Sequence, residues 1–253
     1  MRRKIISFNF NGWKPVANVK FATKIVEFAK YIKDDDTYQD ADIIALQEYI
    51  SGGGKYLSQL EDAFNGEYIV LTPPDFNYTD HPRSIMNVIL LRKSTIKGYR
   101  VEQLPSVLPN RLLLVSAFFD DCSVKIMNTY QVQIQNFKGH NGGDAYVKKR
   151  IEQHNQLWDE TIREATKIKD EQVVILGDFQ ESSEGEHIKE LFSLGYVEKV
   201  KNIPTVRGDF FAEQCIDHII YSKSAWDIIG PKSYALSGGL LDEISDHSML
   251  VAW

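Results

Sequence analysis

Val173–Glu181 reads Val-Val-Ile-Leu-Gly-Asp-Phe-Gln-Glu, and the interpretation of the fold starts from this stretch. Four consecutive apolar residues predict a short strand covered on both faces, and Gly177 lets the chain turn where that cover ends. Residues two apart in a strand project to the same side, so Asp178 and Gln180 should present a carboxylate and an amide together while Phe179 points inward. Taken alone, the stretch is better explained by a turn that uses the aspartate for local hydrogen bonding, and the rest of the chain has to decide.

Length and composition describe a globular protein with ample core. The chain has 253 residues, of which 43% are hydrophobic and 25% charged, and no linker, repeat or low-complexity segment interrupts it, so one domain over 1–253 is expected. No apolar run reaches the roughly 18 residues of a membrane span and no signal region is visible, which predicts a cytoplasmic location. Two cysteines are too few for a disulfide framework. No obligatory protein partner is indicated.

The net charge of −6 bears on the class of partner. A protein that coats polyanionic backbone over a long footprint usually carries a basic excess, so this balance argues against broad, non-specific nucleic-acid binding. A local basic rim around an acidic, metal-binding centre remains compatible with it, because clustered carboxylates are part of the negative count.

Hydrophobic periodicity predicts a strand-rich chain with four helices. The predicted strands are Lys4–Phe10, Ala41–Glu48, Tyr68–Leu71, Met86–Leu91, Arg100–Leu104, Leu112–Phe118, Val124–Thr129, the run from Val173, Cys215–Tyr221 and Met249–Trp253. The predicted helices cover Phe21–Ile32, Leu57–Phe64, Ala145–Ile168 and His187–Leu194. Four short strands between 86 and 129 suggest an antiparallel meander, and Thr72–Ser84 is a long loop of the kind that often carries function.

Polar side chains recur where the predicted strands end. They are Asn9, Asn11, Glu48, Tyr130, Asp178, Gln180, Asp217, Asp246 and His247. Each has a structural explanation, as a turn residue, a cap or a salt-bridge partner, that is about as good as a functional one, because short patterns recur by chance. Their joint order along the chain is much more specific than any single position.

The motifs Ser-Phe-Asn-Phe-Asn-Gly, Leu-Gln-Glu, Asn-Thr-Tyr, Leu-Gly-Asp-Phe-Gln, Ile-Asp-His-Ile and Ser-Asp-His span Ser7 to His247. In this order they resemble the motif series of the endonuclease/exonuclease/phosphatase superfamily. The resemblance implies an α/β (α+β) fold, a four-layer sandwich of two packed mixed β-sheets flanked by helices, with the site on one rim. Members cleave phosphate esters with a divalent metal and include abasic-site endonucleases, pancreatic-type deoxyribonucleases, deadenylases, sphingomyelinases and inositol-phosphate phosphatases.

The resemblance also implies a role for each motif residue that binds metal or water. Glu48 would be the main metal ligand, with Asn11 beside it directly or through water, and Asp246 would serve a second metal or orient the water network. Asp178 would accept a hydrogen bond from the attacking water, and Gln180 would help to hold that water in line. Hard oxygen ligands around a partly hydrated ion suit Mg²⁺, with Mn²⁺ as the alternative.

The remaining motif residues would act on the phosphate. His247, oriented by Asp217, would contact the scissile phosphate and stabilise the charge that develops there, and Asn9 and Tyr130 would grip phosphate oxygens. The loop residue Arg83 is a candidate for bidentate phosphate binding, with a solvated surface arginine as the equal alternative.

Three further residues are candidates outside the motif roles. Arg207, like Arg83, is either a phosphate ligand or a solvated surface arginine. Cys215 and His218 resemble part of a zinc site, but in a strand they would point to opposite faces, and a core role is preferred.

Two departures from the family pattern affect the functional interpretation. The aspartate motif usually ends in Asn where this chain has Gln180, and many members have His where it has Tyr130, although abasic-site endonucleases also use a tyrosine there. The preferred hypothesis is a metal-dependent phosphodiester hydrolase, a nuclease acting on DNA by in-line attack of an activated water. The alternatives are a phosphatase or phosphodiesterase of a small phosphorylated molecule or lipid head group, and a binding protein on a decayed catalytic scaffold.

Overall fold

A computed structural model describes residues 2–12, 20–134, 143–199, 204–207, 214–230 and 232–253. The strands are β1 Ile5–Asn9, β2 Ile43–Ile50, β3 Tyr68–Leu71, β4 Ile85–Arg92, β5 Gly98–Val101, β6 Leu112–Phe118, β7 Ser123–Tyr130, β8 Val173–Asp178, β9 Tyr196–Glu198, β10 Asp217–Ser222, β11 Ser233–Leu236 and β12 Met249–Ala252. The α-helices are α1 Phe21–Asp34, α2 Lys55–Ala63, α3 Gly143–Ile168, α4 Glu186–Ser193, α5 Trp226–Ile229 and α6 Leu240–Ile244. The predicted loop around 138–144 lies largely outside these ranges.

The strands form two mixed six-stranded sheets. The first sheet has the order β11-β12-β1-β2-β4-β3, in which β1 and β2 are parallel, and the second has the order β5-β6-β7-β8-β10-β9, in which β7 and β8 are parallel. Helices α1, α2 and α6 pack outside the first sheet, and α3 and α4 outside the second. This arrangement confirms the predicted α/β sandwich.

Strand alternation distributes the apolar side chains among three cores. In β1, Ile6 and Phe8 face α1, where they meet the helix residue Phe28, whereas Ile5 faces the opposite sheet. The middle core lies between the two sheets, and a third core joins the second sheet to α3 and α4 around Trp158. Because both sheets are covered on both faces, their central strands are near-continuous apolar runs, which is why the sequence pattern predicted them.

The predicted four-stranded meander is wrong in one strand. β5, β6 and β7 do form an antiparallel meander, but β4 pairs with β2 and β3 in the other sheet. The chain crosses between sheets after β4, and strand spacing alone carries no information about that crossing. The sequence also missed β9 and β11, two short strands that pair with one neighbour each and carry little periodic signal. None of the helices within the described ranges is long and apolar enough to span a membrane.

Candidate active site

In the second sheet, strand register alone aligns three of the predicted site residues. Tyr130 at the end of β7 is the parallel partner of Asp178 in β8, and Asp178 is the antiparallel partner of Asp217 in β10. The three residues therefore form one row across the sheet, and all three are buried. The row lies where β7 and β8 end and β10 begins, which places it on one rim of the sandwich.

The first sheet delivers its site residues through irregular backbone. Asn11 and Glu48 have φ angles of 45° and 52°, in the left-handed region that residues other than glycine rarely adopt. Glu48 also lies at a shift in the β2–β4 register, between Leu46 and Tyr49, and such bulges redirect side chains next to functional sites. The carboxylate is therefore aimed by a local break in the strand, and not by strand alternation.

Two glycines are required by close backbone approaches at this rim. A Cβ on Gly12 would lie 2.3 Å from the carbonyl oxygen of Glu48, to which the Gly12 N–H donates a hydrogen bond. Gly177 has a φ of 138°, and a Cβ there would lie 1.9 Å from the carbonyl oxygen of Thr129. The prediction that Gly177 turns the chain is wrong, because it lies inside β8 and is needed where β7 approaches.

His247 and Asp217 form the predicted pair. The imidazole Nδ1 lies 3.1 and 2.9 Å from the two carboxylate oxygens of Asp217, and Nε2 lies 4.0 Å from Asp178 Oδ2. Burial alone would lower the pKa of His247, but the carboxylates of Asp217, Asp178 and Asp246 outweigh burial and raise the pKa to about 10. The ring is therefore an imidazolium near neutral pH, with Nδ1 donating to Asp217.

Asp178 and Gln180 are brought together as predicted, but by a turn and not by strand alternation. β8 ends at Asp178, and Gln180 has a φ of 53°. The Gln180 backbone N–H donates to Asp178 Oδ1 at 3.0 Å, and its Nε2 donates to Oδ2 at 2.7 Å. Burial, followed by the charge of Asp217, raises the pKa of Asp178 to about 7. Phe179 is fully buried, as expected.

Asn9 connects the two halves of the site. Its amide nitrogen donates to Glu48 Oε1 at 3.1 Å and to Asp178 Oδ2 at 2.9 Å, and its Oδ1 accepts the Asn11 backbone N–H at 2.8 Å. The amide therefore spans a carboxylate from each sheet. These contacts use both amide hydrogens of Asn9 and make it a spacer between two acids, and its phosphate-binding role stays a prediction.

Asp246 and Tyr130 complete the cluster. The Asn11 side-chain nitrogen donates to Asp246 Oδ1 at 2.6 Å, which leaves the Asn11 amide oxygen as the acceptor of that side chain. Burial and the neighbouring Glu48 raise the pKa of Tyr130 well above its usual value, so the phenol stays a neutral hydrogen-bond donor. The Arg111 guanidinium lies 4.1 Å from the Tyr130 ring centroid and donates to the Gln131 carbonyl, a support that the sequence did not reveal.

The two arginine candidates lie differently. Arg83 is exposed on the segment before β4, and within the described ranges no hydrogen bond or ion pair joins it to the cluster. Arg207 forms an ion pair with Asp242 and a hydrogen bond to the Ser245 carbonyl, and its backbone N–H donates to the Asp246 carbonyl. Arg207 therefore holds the segment that carries Asp246.

Lys24 is a site residue that the sequence interpretation missed. Its side chain is buried, and Nζ donates to the Asn11 carbonyl at 3.1 Å. Burial lowers its pKa to about 8, against the opposing effect of Asp246 and Glu48. The available signal was its position between Phe21 and Phe28 on the apolar face of α1, where a charged residue is out of place.

A buried polar network beneath the site was also missed. Gln47 donates to Ser7 Oγ at 3.2 Å and to Asn128 Oδ1 at 2.8 Å, and the Asn128 side-chain nitrogen donates to the carbonyls of Leu46 and Val88. Polar side chains thus connect the two sheets directly below the catalytic candidates. These hydrogen bonds fix the relative position of the two sheets, although Gln47 Oε1 is buried without a partner among the described residues.

The prediction that Cys215 and His218 point apart is wrong, because Cys215 precedes β10 and strand alternation does not apply to it. One potential ligand atom from each of Glu198, Cys215 and His218 falls within 4.8 Å of the others. His218 Nδ1 is 2.5 Å from Glu198 Oε1, however, whereas two ligands of a tetrahedral zinc ion would lie about 3.3 Å apart. With Nε2 2.7 Å from the Glu181 carbonyl, the ring is a hydrogen-bonded brace behind the Asp178–Gln180 turn.

The rim has the donor set that a hard divalent cation requires. Ligand atoms of Glu48, Asp178 and His247 lie within 4.8 Å of one another. Nδ1 of His247 is taken up by Asp217, so the Glu48 and Asp178 carboxylates are the oxygen donors of this group, and oxygen donors fit Mg²⁺ or Mn²⁺. Gln180 Oε1 is buried without a hydrogen-bond partner among the described residues, which is consistent with room for a bound ion, water or substrate.

Solved structures share this architecture. TDP2 from D. rerio, complexed with single strand DNA product, superposes with a TM-score of 0.61 at 16% identity, over 99% of this chain and 97% of that one. An endonuclease/exonuclease/phosphatase from Bacteroides vulgatus gives 0.66 at 14% identity over 99% and 97%, and a variant of the 3′ phosphatase NExo from Neisseria, bound to product DNA hairpin, gives 0.62 at 16% over 99% and 98%. No protein-family model and no curated protein matches the sequence. The chain therefore has the endonuclease/exonuclease/phosphatase fold, as its motifs predicted.

Proposed function

We propose that this chain is a divalent-metal-dependent phosphodiester hydrolase that acts on DNA. The observation that carries the proposal is the convergence of an Asp217–His247 pair, the Asp178–Gln180 turn and Glu48 on one rim, with Asn9 bridging the two acids. The DNA products in the similar TDP2 and NExo structures support the choice of DNA.

Each group has a defined part in the proposed hydrolysis. Asp178 takes a proton from the attacking water while Gln180 holds that water in line, and the raised pKa suits a general base near neutral pH. His247 donates from Nε2 to a phosphoryl oxygen, and Asp217 keeps the ring charged and oriented. Tyr130, whose hydroxyl is hydrogen-bonded to Glu48, would turn its O–H to the phosphate as a second donor.

Glu48 and the Asn11 amide oxygen would hold the metal, with Asp178 close enough to share it. A bound Mg²⁺ supplies positive charge that offsets the charge on the phosphoryl oxygens. Asn9 keeps the Glu48 and Asp178 carboxylates at a fixed separation through its two hydrogen bonds.

A second candidate is a phosphatase, favoured by the net charge of −6 and by the 3′ phosphatase NExo among the similar structures. A phosphomonoester at a nucleic-acid end or on a small molecule needs less basic surface than a long phosphodiester backbone.

One assay separates these candidates. Supercoiled plasmid, abasic duplex, RNA, a single-stranded oligonucleotide with a 3′-phosphate and a generic phosphodiester are incubated with Mg²⁺, using wild type, Asp178→Asn and the exposed Asp170→Asn as matched control. Cleavage of DNA phosphodiesters that is lost only in Asp178→Asn supports the nuclease. Release of the terminal phosphate alone supports the phosphatase, and no turnover with Mg²⁺ or Mn²⁺ overturns the enzymatic proposal.

A further inference from the structure

Lys24 lies beneath the metal-binding half of the rim. It is 2% exposed and occupies the face of α1 that packs on the first sheet, next to Ile25 and Phe28. A buried ammonium is costly unless negative groups compensate it, so a lysine at this position needs an electrostatic reason.

The contacts of Lys24 provide that reason. Nζ donates to the carbonyl of Asn11, whose side chain in turn holds Asp246, and the carboxylates of Asp246 and Glu48 are the acids that act on the ammonium. Lys24 thus lies beside the residues that would bind metal. Arg207 also approaches Asp246, but its guanidinium is committed to Asp242.

Lys24 places a buried positive charge at the end of the cluster that holds Glu48 and Asp246. Its Nζ lies 3.1 Å from the Asn11 carbonyl oxygen, and the Asn11 side-chain nitrogen lies 2.6 Å from Asp246 Oδ1. A second divalent ion near Asp246 would meet the ammonium already placed there, and like charges at short range in a buried site repel strongly.

We propose that Lys24 is a resident counter-charge for Glu48 and Asp246, which limits the centre to one divalent ion and weakens the binding of that ion. The inference rests on the proposed function, because it requires the rim to bind metal. It gives Asp246 a partner within the chain, so that Asp246 orients Asn11 and binds no second ion.

Calorimetric titration of metal-free protein with Mn²⁺ at pH 7 tests the proposal without an activity assay. Wild type should bind one ion. Lys24→Met should bind Mn²⁺ about tenfold more tightly, ~1.4 kcal/mol, or take up a second ion, whereas Lys24→Arg should behave as wild type. Lys30→Met, an exposed lysine on the same helix, is the matched control and should leave both numbers unchanged.

Several outcomes overturn the inference. They are two ions bound to wild type, and unchanged or weaker binding in Lys24→Met while its circular dichroism stays native. If Lys24→Met does not fold, Lys24→Gln gives the same comparison. Glu48→Gln tests the metal site separately from the role of Lys24. Absent Mn²⁺ binding in wild type, or binding as tight in Glu48→Gln as in wild type, overturns the proposed metal site itself.

Discussion

The two sheets contribute to the rim in different ways. The second sheet presents Tyr130, Asp178 and Asp217 through regular strand register, whereas the first presents Asn11 and Glu48 through left-handed residues and a bulge. The first half would bind metal, and the second would position water and, with His247, handle protons. Regular strand register aligns side chains along a row across a sheet. Several ligands can converge on one ion only where the backbone departs from regular strand geometry.

Replacement of His247 should have the largest effect and should be independent of metal. His247→Gln keeps the size of the side chain but removes the charge that faces the phosphate, so kcat on DNA should fall about 10³-fold. Raising the Mn²⁺ concentration should not restore it, because the ligands are intact. Restoration by Mn²⁺ would place His247 in the metal-binding half and contradict the division.

Glu48→Gln should show the opposite behaviour. Loss of a charged ligand should lower activity about 10²-fold at low Mg²⁺, through weaker metal binding. Because Asp178 and His247, which would transfer or donate protons, are intact in this variant, a large excess of Mn²⁺ should recover much of the lost activity. The measurement is the metal dependence of kcat, with the exposed Glu61→Gln as control. A defect that no metal concentration changes would contradict the assignment.

Gly12→Ala tests the irregular backbone of the first sheet. The new Cβ would lie 2.3 Å from the Glu48 carbonyl oxygen, so the Asn11–Gly12 backbone must move, and we expect a loss of about 2–3 kcal/mol in urea unfolding together with weaker metal binding. Gly98→Ala is the control, because its Cβ would meet only the Phe118 ring at 3.7 Å. Equal stability losses in both variants would show that the close approach is unimportant.

The different geometry of the two halves also explains how much the sequence predicted. The row across the second sheet follows from alternation and apolar runs, so Asp178 and Asp217 could be placed from pattern and motif together. The aim of Glu48 depends on a bulge and a φ of 52°, which no periodicity encodes. Its place at the end of a predicted strand made Glu48 a candidate, and only the motif resemblance gave it a metal-binding role. Neither a motif nor strand alternation pointed to Lys24. Helical periodicity identifies the apolar face of α1 but gives no reason for a single lysine within it.

At the level of the fold, the layers were predictable and the assignment of strands to sheets was not. The long apolar runs of the strands and the apolar face of α3 were visible in the sequence. Both sheets are covered on both faces, as expected. The transfer of β4 to the first sheet depends on pairing with β2, a contact between strands about forty residues apart. Local sequence does not report such partners, and the short edge strands β9 and β11 fell below the length at which a pattern is visible.

The pH dependence of kcat/KM tests the proposed roles of Asp178 and His247. Burial and Asp217 raise the pKa of Asp178 to about 7, and the ionised form accepts the proton, so activity should rise as pH increases through that range. Nearby carboxylates raise the pKa of His247 to about 10 despite burial, and the charged form contacts phosphate, so activity should fall above it.

Added Mg²⁺ should move the acid limb to lower pH, because a nearby cation favours the ionised carboxylate. If Mg²⁺ does not shift the acid limb of the pH profile of kcat/KM, Asp178 does not lie close to the bound metal. The raised pKa of His247 also contributes to the free energy of unfolding. That contribution is complete below the unfolded-state pKa of about 6.5 and is lost as pH rises through about 10.

Gln180→Asn should have the smallest effect. Asparagine is the usual family residue there, and Gln180 contacts Asp178 twice, through its backbone N–H and through Nε2. The shorter side chain keeps the backbone contact but cannot reach Oδ2 from the same backbone, so the amide is free to turn toward water or phosphate.

We therefore expect a change of less than about tenfold in kcat for Gln180→Asn, since a single neutral hydrogen bond is worth about 1 kcal/mol. The φ of 53° adds a reason for retained or improved activity, because asparagine tolerates the left-handed region better than glutamine. Steady-state kinetics of wild type, Gln180→Asn and Gln180→Ala decide the matter. If Asn and Ala lose activity equally and by far more than tenfold, the extra methylene of Gln180 is a requirement of this site, and the second half of the rim is less regular than its register implies.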